Sequence, residues 1–123
     1  MTDTDEVLEY EQTRGVHVLR VRASRLDSVT PLMVMDDELD RILKEDDQAP
    51  GLVINLGSVE YLVTIALAKL ITCREKIVER GGTIGLCSLQ PAVAEMMEVT
   101  RFNELFEIYE DEAEAIEGMA GPA

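Results

Sequence analysis

Two cysteines and one histidine, Cys73, Cys87 and His17, are the residues whose types first suggest nucleophilic or metal chemistry. A structural zinc takes about four Cys or His ligands in close pairs, and these three show no Cys-x-x-Cys or His-x-x-x-His spacing. A Cys–His nucleophile pair would require the two side chains within hydrogen-bond reach. Cys73 instead falls on the apolar side of a helical pattern and Cys87 in an apolar run, so both are expected to be reduced core thiols. His17 lies between Val16 and Val18 in an alternating run, which predicts the exposed face of a strand. The carboxylates offer little more. Asp36 to Asp40 and Glu110 to Glu117 read as solvated helix faces, and a magnesium site needs carboxylates that converge at strand ends, where only Asp27 and Glu60 fall. The segment Gly57 to Ala66 contains neither Gly-x-Gly-x-x-Gly nor Gly-Lys-Ser/Thr, so it cradles no nucleotide phosphate in either familiar way. It also lacks the acid, base and nucleophile of a hydrolase. No cofactor and no enzymatic activity are expected.

The elements that must position these residues follow from hydrophobic periodicity. Val7 to Glu11 and Gly15 to Ala23 predict two strands joined by a turn at Gln12-Thr13-Arg14-Gly15. From Pro31 to Lys44 the period lengthens, with Leu32, Met35, Leu39, Ile42 and Leu43 on one helical stripe and Ser28 or Thr30 as caps. Leu52 to Leu56 is a short apolar run suited to a strand buried on both faces. A second helix is predicted over Thr64 to Glu79, with Ala66, Leu67, Leu70, Cys73, Ile77 and Val78 inside and a stop at Arg80-Gly81-Gly82. A strand at Thr83–Cys87, a helix from Pro91, a strand at Phe106–Tyr109 and a helix from Asp111 to Met119 complete the order. Two opening strands followed by repeated βα units imply a small α/β domain.

The chain has 123 residues, which matches one domain. A domain of this size buries only about two-thirds of its unfolded surface, leaving little room for a large internal pocket. With 11 basic and 25 acidic residues its net charge is −14, which opposes nucleic acid and anionic membrane surfaces. No apolar run reaches about 18 residues, and the first residues are acidic, so neither a transmembrane span nor a secretory signal is expected, and the location implied is the cytoplasm. The charge is uneven. Between Glu60 and Arg101 five acidic residues (Glu60, Glu75, Glu79, Glu95, Glu98) balance five basic ones (Lys69, Arg74, Lys76, Arg80, Arg101). This neutral middle, with Leu62-Val63-Thr64-Ile65-Ala66 at a helix start, suggests a protein-contact face. The same apolar residues could equally tuck into the core.

Leu52-Val-Ile-Asn-Leu-Gly-Ser-Val-Glu-Tyr-Leu, then Val63-Thr-Ile-Ala-Leu-Ala-Lys-Leu, resembles the signature of the STAS domain, the fold of bacterial anti-sigma factor antagonists. The resemblance continues through Gly81 to Val93, Met97 to Phe106 and Ile108 to Ile116, and Leu26-Asp27 sits where the family has Leu-Asp after its second strand. It implies a STAS-like single domain over residues 5–117, with a small mixed β-sheet of about five strands and about four helices, and residues 118–123 as a flexible tail. It also implies binding of a serine/threonine kinase anti-sigma factor through the start of the second helix. In the family, phosphorylation in an Asp-Ser-Ser/Thr-Gly-like motif abolishes that binding. Here the motif reads Val63-Thr64-Ile65-Ala66, so Thr64 is the phosphorylation candidate and Leu62, Val63, Thr64, Ile65, Ala66, Lys69 and Asp27 form the expected partner-binding set. Three of the four motif residues depart from the pattern, and the carboxylate that would orient the hydroxyl is replaced by Val63. The alternatives are a non-phosphorylated scaffold or oligomerising subunit, including a homodimer, and, more remotely, an enzyme or small-ligand carrier using the same strand-end cleft.

Overall fold

In a computed structural model of the chain, residues 8–26, 29–45 and 50–120 are described. Strands β1 (Leu8–Thr13) and β2 (Val16–Val21) form an antiparallel hairpin. Its two-residue turn, Arg14-Gly15, has positive φ at both positions (54° and 81°), the geometry whose twist suits a tight hairpin and which glycine adopts without strain. The chain then forms β3 (Arg25–Leu26), helix α1 (Val29–Glu45), β4 (Gly51–Asn55), β5 (Tyr61–Leu62) and α2 (Thr64–Glu79). It continues with β6 (Thr83–Cys87), α3 (Pro91–Val99), a 3₁₀ turn at Phe102–Glu104, β7 (Glu107–Tyr109) and α4 (Glu112–Ala120).

Five strands make one mixed sheet in the order β1-β2-β4-β6-β7, antiparallel between β1 and β2 and parallel thereafter. β3 and β5 pair separately as a two-residue parallel ribbon. Each strand of that ribbon is too short to show a period, which is why the sequence pattern passes over it.

Both faces of the sheet are covered. On one, α1, α2 and α3 bury the larger core around Leu39, Ile42, Ile54, Leu70 and Ile77. On the other, α4 seals a smaller cluster of Val16, Val18, Val53, Cys87 and Ala115. Leu52, Val53 and Ile54 are all fully buried, as expected of a strand covered on both faces. Double coverage also corrects the reading of His17. It is 4% exposed, because β2 lies between β1 and β4 and its odd-numbered residues point with Leu19 and Val21 into the core. Its Nδ1 lies 2.6 Å from the hydroxyl of Tyr10, a diagonal neighbour on β1, so the buried ring has a hydrogen-bond partner. Alternation marks strand direction but not which faces are wet.

Helix α2 ends as its glycines predict. Gly81 has φ 79°, and the amides of Gly81 and Gly82 donate to the carbonyls of Val78 and Ile77 at 2.9 Å each. Val78 itself is 48% exposed, against the expectation that it faces inward. At the far end of the chain α4 runs through Ala120, so residues 118–120, expected in a frayed tail, belong to the helix. Met119 packs on the second cluster there.

Candidate functional site

The route from β4 into α2 is held by hydrogen bonds from backbone and side chains to its main chain. Gly57 N donates to Asn55 Oδ1 at 2.8 Å, Gln90 Nε2 donates to the Gly57 carbonyl at 2.8 Å, and Val59 N donates to the Leu56 carbonyl at 3.0 Å. The β3–β5 ribbon then aims the chain: the Glu60 amide donates to the Ser24 carbonyl at 2.7 Å and the Val63 amide to the Leu26 carbonyl at 3.2 Å. Val63 is the N-cap residue, in extended conformation, with no side-chain cap. Its carbonyl accepts from the amides of Ala66 (2.9 Å) and Leu67 (3.2 Å). Thr64 is thus the first helical residue rather than the cap.

The expected contact set separates into two layers. Leu62 is 1% exposed and Ala66 is fully buried, and with Leu67, outside the expected set and 3% exposed, they anchor the helix start from beneath. Val63 is half-buried, Thr64 is exposed, and Ile65 is 61% exposed. The helix start is therefore partly core and partly surface. Lys69 is partly buried and donates to Asp36 of α1 at 2.7 Å, an ion pair that raises the affinity of its ammonium for its proton. Asp27 lies outside the described residues, and Glu60 is exposed.

Sequence reasoning misses two neighbours of this shoulder. The bonds Asp36–Lys69, Asp40–Lys76 (3.3 Å) and Leu43 carbonyl–Arg80 (2.9 Å) run in step along α1 and α2, so the helices are parallel. One turn back from Asp36 and Lys69, that ladder sets Met33 and Ile65 at the same end of the pair. Met33 is 58% exposed. Tyr61, 43% exposed on β5, has the Arg25 guanidinium 4.6 Å above its ring. Both carried a signal: Met33 is an apolar residue off the helical stripe, and Tyr61 alternates with buried Leu62.

The remaining candidate chemistry does not converge. Cys73 lies in the larger core and Cys87 in the cluster across the sheet. Burial pushes both thiols up to about 11, so they stay protonated near neutral pH and are poor nucleophiles. Among the described residues no group of three or more His, Cys, Asp or Glu could hold a metal ion, and no helix is long and apolar enough to cross a membrane. The acidic faces are partly used internally. Glu112 at the start of α4 accepts from Arg20 Nε and from Nη2 at 2.7 Å each and from Asn55 Nδ2 at 3.0 Å, while Arg20 also reaches Glu9 and Glu11. The Arg20 bonds hold the Glu112 carboxyl below the usual carboxylate range.

The comparisons agree with this architecture. The STAS domain matches residues 7–115. An anti-sigma F factor antagonist of Paenibacillus polymyxa is 25% identical over 112 residues, covering 89% of this chain and 91% of the relative. An anti-sigma-factor antagonist (STAS) domain protein from Planctomyces limnophilus superposes with a TM-score of 0.83 at 23% identity, over 93% of this chain and 98% of that one. The Bacillus cell fate determinant SpoIIAA, in its phosphorylated form, superposes with a TM-score of 0.66 at 13% identity, over 89% and 96% of the two chains. At these identities the two structures speak for the fold, and the STAS domain match over residues 7–115 carries the family. This chain belongs to the STAS domain family.

Proposed function

We propose that the protein is a regulatory binding module, an antagonist that takes up a serine/threonine kinase anti-sigma factor on the shoulder at the start of α2 and is released by phosphorylation of Thr64. One observation carries the reading: an exposed hydroxyl at the first position of a long helix, beside an isoleucine that is 61% exposed. The relatives support it, since one is named an anti-sigma F factor antagonist and another was solved in a phosphorylated form. In this reading Val63, Thr64 and Ile65 touch the partner, with Met33 and Tyr61 widening the patch. Leu62 and Ala66 shape it from below, and Lys69 lies at its rim. Such a partner places the protein in the cytoplasm.

The switch follows from charge and solvation. The kinase transfers the γ-phosphoryl group of ATP to Thr64 Oγ1; the bond to the β-phosphate breaks, ADP leaves, and the hydroxyl proton passes to a base of the kinase. The product carries about −1.5 to −2 charge, which the open amides of a helix N-terminus tolerate well. The partner does not, because a hydrated dianion now sits in an apolar contact and must lose its water there.

Val63 favours a second reading. With no side chain capping α2 and no carboxylate beside Thr64, the domain could bind without a covalent switch, as a scaffold or an oligomerising subunit. Incubation with a candidate kinase and ATP, followed by mass spectrometry, separates the two. Label on Thr64, and loss of the complex in Thr64→Glu but not in Thr64→Ala, are the results expected of the switch. A stable complex without label, or a Thr64→Glu chain that binds unchanged, overturns it.

A further inference from the structure

We infer that the outer edge of β7 is a docking site for an extended, basic segment of another protein, added to the sheet as a further strand. β7 ends the sheet: it pairs with β6 through Gly85–Glu107, Leu86–Ile108 and Cys87–Tyr109, and among the described residues no strand lies beyond it. An unpaired edge is a template for another strand unless charge or a bulge guards it. The opposite edge is guarded, because Glu9 and Glu11 of β1 are bound up with Arg20 and Arg22. β7 carries an exposed charge of its own in Glu107, but apolar side chains emerge beside it. Ile108 is 40% and Leu105 37% exposed.

The surroundings give that edge pockets and a charge. Leu89, Ala94, Ile108, Tyr109, Glu110 and Glu114 line a groove of about 330 Å³. A second groove of about 270 Å³, which includes Val78, Ile84 and Leu105, lies toward the start of the strand. Its ends are marked by bonds already made: Arg74 Nε donates to the Leu105 carbonyl at 2.6 Å, and the Glu110 amide to Glu114 Oε1 at 3.4 Å. Between them runs Phe106 to Tyr109. Glu104, Glu107, Glu110 and Glu114 are all exposed around it, so the rim is negative. A second copy pairing at this edge would bring the same glutamates together and be repelled. A strand that alternates apolar with basic residues would drop the former into the grooves and set the latter against the rim, with main-chain bonds supplying affinity.

Titration of the ¹⁵N-labelled full chain with a short peptide of alternating lysine and valine tests this, with a glutamate–valine peptide as control. The expected result is amide shifts centred on Glu107–Glu110 that the glutamate peptide does not produce and that added salt weakens. Ile108→Asp should lower the affinity about tenfold, the loss of one apolar anchor. The surface pair Glu110→Lys with Glu114→Lys, which leaves the core intact, should lower it similarly and remove the salt dependence. Shifts absent from β7 or centred on the start of α2, equal uptake of the glutamate peptide, or dimerisation through the same residues would each overturn the inference. None of these readouts involves Thr64, so the result is independent of the proposed switch.

Discussion

Two sites near the carboxyl ends of the strands solve the same problem in opposite ways. At the Arg20 node one guanidinium is held by Glu112, Glu9 and Glu11, and Asn55 completes the coordination of Glu112. Charge is gathered there and satisfied within the chain, which joins the hairpin and the central strand to the last helix. At the α2 shoulder no side chain caps the helix, an exposed hydroxyl has Ile65 beside it, and Met33 on α1 and Tyr61 on β5 also stand out into solvent. The node makes its interactions with itself. The shoulder leaves them to be made, and that difference separates a structural site from a candidate docking one.

If the shoulder is a surface laid over a rigid support, its two layers should respond very differently to mutation. Leu70, fully buried on α2, lies in the larger core. Leu70→Ala should cost about 2–5 kcal/mol, read from urea unfolding, through lost burial and the cavity left behind. The next largest effect belongs to the node. Arg20→Ala leaves three carboxylates without their common partner and should cost about 1.5–3 kcal/mol, the range for hydrogen bonds to charged groups.

The node should also be visible in pH dependence. Arg20 lowers the Glu112 pKa from its ordinary value of 4.5, so folding binds fewer protons at that site than the unfolded chain does. The stabilisation is therefore full above 4.5 and is lost as pH falls through the lower, folded value. Unfolding midpoints across this window should fall for the parent chain. They should fall less for Glu112→Gln, which begins less stable; identical acid profiles would remove the node from the stability argument.

The fold was legible because its signals are long and redundant. The stripe of Leu32, Met35, Leu39 and Ile42 and the run Leu52 to Leu56 each leave few choices of period, and all five sheet strands and four helices follow from such runs. What stayed hidden depends on contacts between distant segments. Alternation along β2 sets His17 on the face opposite Val16 and Val18 but does not tell that this face, shared with Leu19 and Val21, is itself covered by the larger core. The β3–β5 ribbon has two residues per strand and is made by Ser24 and Leu26 accepting from residues beyond α1. At the shoulder, Thr64 and Ile65 were legible from motif position, whereas Met33 joins them only through the Asp36–Lys69 register, which no local pattern contains.

Smaller effects sharpen the contrast where stability and binding part company. Thr64→Glu places a carboxylate at the first position of α2, where the helix dipole favours it, and should stabilise the fold by about 0.3–1 kcal/mol while abolishing capture of the kinase partner. A variant that is both less stable and unable to bind would point to damage rather than to a switch.

Ile65→Ser is the most discriminating change because its structural cost should be the least. The side chain is 61% exposed, and its neighbours Ala66 and Leu67 already hold the helix to the core. Stability should stay within about 0.5 kcal/mol of the parent, as for surface substitutions generally. Binding should weaken about tenfold, because an exposed isoleucine that a partner desolvates acts as an anchor. The same change restores a hydroxyl beside Thr64, making the motif more like the family's own. If the partner's pocket is matched to isoleucine, the serine weakens the complex; if it is built for the usual motif, the serine strengthens it. A calorimetric titration of both chains reads the direction, and with it whether this shoulder has diverged together with its partner.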